Sequence, residues 1–95
     1  MKKERVIKST GNVFVDLGFD PAEAQVLALR AELMGRLRRL IEERGWTQVE
    51  AARELRIGQS RVSDLVNGKW EKFSLDMLVT LAVRGGKRVK LALAA

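Results

Sequence analysis

T-Q-V-E-A-A-R-E-L-R-I-G-Q-S-R-V-S-D-L, residues 47–65, is the stretch from which the fold can be read. Thr47-Gln48-Val49-Glu50 has the spacing of a capping box, in which the Thr side chain binds the Glu backbone N–H and the Glu side chain reaches back. Trp46, just before it, is placed to staple against the first turn. After about two turns the apolar pattern stops at Leu55-Arg56-Ile57-Gly58. A second helix is expected from Gln59 to Val66, closed by Asn67-Gly68. Two short helices joined by a three-residue turn must cross closely and at a steep angle. Their crossing point needs small side chains, which Ala51 and Ala52 supply. Leu55, Ile57, Val62 and Leu65 then fill the wedge between them.

Upstream, Asp20-Pro21-Ala22-Glu23 places Asp at an N-cap, Pro in the first turn and Glu three residues after the cap. Val26, Leu29, Leu33, Leu37, Leu40 and Ile41 follow at steps of three and four, an apolar stripe on one face. Gly45 ends the helix, which should run from Pro21 to Arg44. Gly35 inside it costs about 1 kcal/mol relative to Ala, and a break into two helices there is the alternative. Downstream, Ser74 caps a further helix with Phe73 positioned to pack on Leu78. Leu75, Leu78, Val79 and Ala82 give it a buried face, and Gly85-Gly86 stops it. Two terminal segments alternate instead. Val89, Leu91 and Leu93 interleave with Arg88, Lys90 and Ala92, and Val13, Val15 and Leu17 with Asn12, Phe14 and Asp16. Both patterns read as strands. The tail strand needs a partner, either residues 13–17, a second copy or another protein.

A chain of 95 residues is one small domain. It has no apolar run long enough to span a membrane and no apolar stretch after its charged start to mark a signal peptide. It contains neither Cys nor His. Disulfides and thiolate metal sites are therefore excluded, triad hydrolysis and zinc catalysis lose their usual residues, and a reducing cytoplasm suits the composition. We expect no enzyme, no cofactor and no metal. Gly85-Gly86 lacks the spacing of a nucleotide-binding loop. The net charge of +6 lies entirely in residues 36–95, with 13 basic and 7 acidic side chains, because residues 1–35 carry five of each. Such a surface suits a polyanion, or is simply a solvated basic face.

The helix over residues 59–66 favours the polyanion. With Val62 and Leu65 inward, Ser60, Asp64 and Asn67 turn outward, flanked by Arg61 and Ser63, while Gln59 projects from the helix start. Short polar groups let a helix sink into the DNA major groove, where Gln matches adenine and Arg matches guanine. The pattern is that of a helix-turn-helix, although an ordinary helical hairpin has the same outline. Trp46 and Trp70 read as core or staple residues rather than base-stacking ones. Arg36 and Arg39, in the cluster Arg36-Leu37-Arg38-Arg39, read as a solvated face.

Together these residues resemble the Cro/phage-repressor helix-turn-helix domains, the XRE family. Residues 12–19, Trp46-Thr47-Gln48 and residues 69–76 resemble its compact HigA-type antitoxin branch. The resemblance implies a mainly α fold, a lambda-repressor-like helix-turn-helix bundle of four to five helices with a short C-terminal β-strand. Residues 1–19 would form an N-terminal arm, 20–86 the DNA-binding domain and 87–95 a strand that serves dimerisation. It further implies that Gln48 grips the phosphate backbone and that Gln59, Ser60 and Asp64 face base edges. Arg61 and Ser63 flank these, and Asn67 and Lys69 bind the backbone from the following loop. Arg56 stands where the family usually has Gly. The implied protein is a cytoplasmic homodimer that binds double-stranded operator DNA and represses transcription, with a cognate toxin as a further partner. A stand-alone regulator without a toxin, and an interaction module that has lost DNA binding, are the alternatives.

Overall fold

The computed structural model describes residues 12–94, and the part of the expected arm at residues 1–11 lies outside the described residues. Five α-helices follow in order: α1 Val13–Asp16, α2 Pro21–Arg44, α3 Gln48–Leu55, α4 Gln59–Val66 and α5 Leu75–Arg84. A single 3₁₀ turn, Trp70–Lys72, lies between α4 and α5.

The long helix α2 starts where its cap predicts, with the Asp20 carboxylate accepting from the Ala22 and Glu23 amides. It runs unbroken through Gly35 and ends at Gly45 with φ +65°. Its C-terminal half supplies Met34, Leu37, Leu40 and Ile41 to the main core. Ala51 and Leu55 from α3, Val62 and Leu65 from α4, and Phe73, Leu78, Leu81 and Ala82 complete that core. Ala51 is fully buried, while Ala52 packs at the edge. The N-terminal half of α2 departs from the expected stripe. Val26 and Leu29 are exposed, and Ala24 and Leu27 face inward instead. They meet a second, smaller cluster around Phe14 that a stripe drawn for one core does not anticipate.

That cluster corrects the first expected strand. Residues 13–17 are helical because the Asn12 side chain accepts from the Phe14 amide at 2.9 Å and starts a turn. Asn12 Nδ2 also donates to the Ala24 carbonyl at 3.2 Å, tying α1 to α2. Phe14 points inward, edge-on to Trp70 at 5.5 Å and to Phe19 at 6.1 Å. Helical spacing, with one aromatic anchor buried and Val13 and Leu17 left in solvent, produced the apparent alternation.

The C-terminal β-strand is likewise absent. Residues 87–94 are without helix or strand, and no strand occurs among the described residues. Among the described residues the tail has no neighbouring ladder to join, since α1 took the segment expected to pair with it. Gly85, expected only as a helix stop, has an ordinary φ of −79°. Its need is for space: a Cβ there would lie 2.7 Å from Leu40 Cδ2.

Candidate nucleic-acid interface

The capping box at the start of α3 is fully formed. Thr47 Oγ1 accepts from the Glu50 amide at 3.1 Å, and Glu50 Oε1 accepts from the Thr47 amide at 2.9 Å. It fixes the first turn of α3 and holds Gln48 at an exposed position. The turn that follows is closed by Arg56 in the left-handed conformation, φ +61°. A non-glycine residue there costs on the order of 1–2 kcal/mol. Arg84 of α5 secures the turn by donating from Nη1 to the carbonyls of Leu55 and Arg56, at 3.1 and 3.3 Å. Arg84 therefore supports the motif from outside it, a role that spacing along the chain does not signal.

Helix α4 rests on Val62 and Leu65, both fully buried. Its N-cap is Gly58, which offers no side-chain hydrogen bond. The Arg61 and Val62 amides both point back to the Gly58 carbonyl, at 3.0 and 3.1 Å. The Gln59 and Ser60 amides find no acceptor among the described residues. This end thus presents backbone donors and positive partial charge outward, flanked by the exposed Gln59 and Ser60 side chains.

The rest of the expected face divides. Asn67 and Lys69 are exposed, as a groove-facing loop requires. Ser63 is half-buried and lies 3.4 Å from Asn67 Nδ2, which donates to its hydroxyl. Asp64 is half-buried between two lysines, 3.8 Å from Lys69 Nζ and 3.9 Å from Lys72 Nζ. These separations exceed hydrogen-bond reach, so the lysines act as a field that offsets the carboxylate's repulsion of phosphate. Lys72, from the linker, is a member of this group that the motif pattern does not reveal. Arg61 turns away from the outward face. Its guanidinium stacks over Phe73 at 4.6 Å, Nη2 reaches the Lys72 carbonyl at 3.5 Å and Nε is buried without a partner.

Both tryptophans are packing residues. Trp70 joins the two hydrophobic clusters and lies under Arg30 at 5.6 Å, and Arg30 also donates to the Phe73 and Trp70 carbonyls. Trp46 packs on the main core beneath Arg44. Among the described residues no group of three His, Cys, Asp or Glu could hold a metal, and no helix is long and apolar enough to cross a membrane.

Two short helices at a tight turn, the second bearing an exposed polar face on a buried apolar base, define a DNA-binding helix-turn-helix domain. A family model described as a helix-turn-helix domain matches residues 13–93, and the chain belongs to that family. Comparison with curated proteins and with solved structures returns no significant match in either.

Proposed function

We propose that the protein is a sequence-specific transcriptional repressor of the XRE type, acting as a homodimer and as the antitoxin of a toxin–antitoxin pair whose operon it regulates. It is a binding protein and not an enzyme. The observation that carries the DNA reading is the exposed start of α4, where Gln59 and Ser60 flank backbone amides that have no acceptor among the described residues. Gln59 and Ser60 read bases, while Gln48, Asn67 and Lys69 hold phosphates and set the register. Arg61, stacked on Phe73, braces the helix from below. Repression is steric: two α4 helices enter successive major grooves about 34 Å apart and exclude polymerase.

Dimerisation is assigned to the tail. Val89, Leu91 and Leu93 are exposed, the last two at 90% and 96%, and they recur at every second position. Paired with the same segment of a second copy, they form the strand that is absent among the described residues of one chain.

The test is selection of duplexes from a random library, followed by titration of single-base variants. Gln59→Ala should lose about 1–3 kcal/mol at one base position. An equal loss on every variant removes Gln59 from base reading. Induction of the adjacent short reading frame, alone and with this protein, tests the antitoxin role. Growth arrest that this protein relieves, with co-purification, supports it; no arrest leaves a stand-alone repressor.

A further inference from the structure

The run Arg36-Leu37-Arg38-Arg39 reads as one basic cluster, yet the folded chain splits it. Arg36 and Arg39 line the groove between α2 and α5, and Arg36 is paired with Glu32 at 2.9 Å. Arg38 faces elsewhere. A Cβ built on Gly68 would lie 3.4 Å from Arg38 Nη1, so the guanidinium rests against the turn that leaves α4. It is exposed and has no hydrogen bond or ion pair among the described residues.

That turn lacks backbone donors for an anion. The Asn67, Gly68 and Lys69 amides donate to the carbonyls of Ser63, Leu65 and Asp64, at 3.0, 3.1 and 3.0 Å. A phosphate beside this end of α4 must therefore be held by side chains, in contrast to the open amides at the helix start. Lys69 is partly committed, because its charge lies 3.8 Å from Asp64. Arg38 adds an uncompensated cation at the same turn, with a planar fork suited to phosphate oxygens. We propose that Arg38, on the helix outside the motif, is a phosphate-binding residue of the DNA interface and grips the backbone beside Lys69. This rests on the DNA-binding reading above. The competing role is purely intramolecular: a cation at the carboxyl end of α4 that complements the helix dipole.

The experiment is fluorescence anisotropy of the full chain on a library-selected duplex and on a scrambled duplex of equal length, across a salt series. Arg38→Gln should weaken binding to both duplexes by the same factor and make the salt slope shallower by about 0.9. The affinity ratio of wild type to variant then falls about threefold between about 50 and about 200 mM salt. Arg38→Lys should keep the slope, and the melting temperature of Arg38→Gln should stay near that of the wild type. An unchanged slope overturns the proposal, and an unchanged slope with a lowered melting temperature assigns Arg38 to the helix end. Absence of binding by the wild type to any duplex removes the DNA-binding reading and the proposal with it.

Discussion

The two hydrophobic clusters of this protein do different work. The main one draws on α2, α3, α4 and α5, and eight of its side chains, Ala51 among them, are less than 2% exposed. The smaller one joins α1 to the first half of α2 through Phe14, Ala24 and Leu27. Helix α4 stands wholly on the first, so the exposed face of the motif is set by a closed core. The second leans against it, linked through Trp70 and by Arg30, which donates to the Phe73 and Trp70 carbonyls. One helix, α2, spans both. Rigidity is thus concentrated under the candidate DNA-reading surface, with α1 as an appendage.

The largest effect should come from removing support beneath α4. Leu65→Ala creates a cavity at a fully buried site and should cost about 2–5 kcal/mol, read as a lowered urea midpoint. DNA affinity should fall with it as α4 loses its seat. Gly85→Ala acts on the same cluster by overfilling it. The new Cβ would press on Leu40 Cδ2 and contact Leu55 Cδ2, for an expected cost of about 1–3 kcal/mol in the same titration. Phe14→Ala removes a larger side chain than Leu65→Ala does, yet its cost should be smaller, about 1–2 kcal/mol. The loss is bounded by the free energy of detaching α1 locally rather than of unfolding the domain. Hydrogen exchange should show residues 13–27 opening while α4 stays protected. Equal loss of protection in α4 would make the two clusters one cooperative unit.

The same division explains which features are legible in the sequence. The caps of α2, α3 and α5, the turn at Arg56 and the burial of Leu55, Val62 and Leu65 are local consequences of residue type and spacing. Each element there meets a single core, so periodicity and burial agree. Around α1 they do not, because the face of α2 that is buried changes between Leu27 and Met34 as the partner changes. Alternation over five residues at 13–17 is too short to separate a strand from a helical turn with one inward aromatic. The tail fails for another reason: a strand is a property of pairs, and residues 87–94 have no second strand among the described residues. At the interface, exposure of Gln59, Ser60 and Asn67 follows from the pattern, whereas Asp64, expected outward with them, is half-buried; Gln48 and Lys69 are pointed to by the family resemblance alone. The stacking of Arg61 on Phe73, the lysines flanking Asp64 and the brace from Arg84 depend on residues distant in sequence.

Gly35 gives the smallest effect and the sharpest view of the link between the clusters. It lies in the unbroken α2 beside Met34, where burial passes from one cluster to the other. Its backbone is not in the left-handed region, and a Cβ built on it meets nothing within 4 Å. Neither conformation nor space therefore requires glycine there, and what glycine contributes is backbone freedom in the unfolded chain. Gly35→Ala should raise stability by about 0.4–1 kcal/mol and slow exchange of the amides in the first half of α2, with DNA affinity unchanged. A destabilised variant would mean that α2 bends or opens at Gly35 in solution, the two-helix arrangement that a central glycine permits. The small cluster would then move as a body of its own.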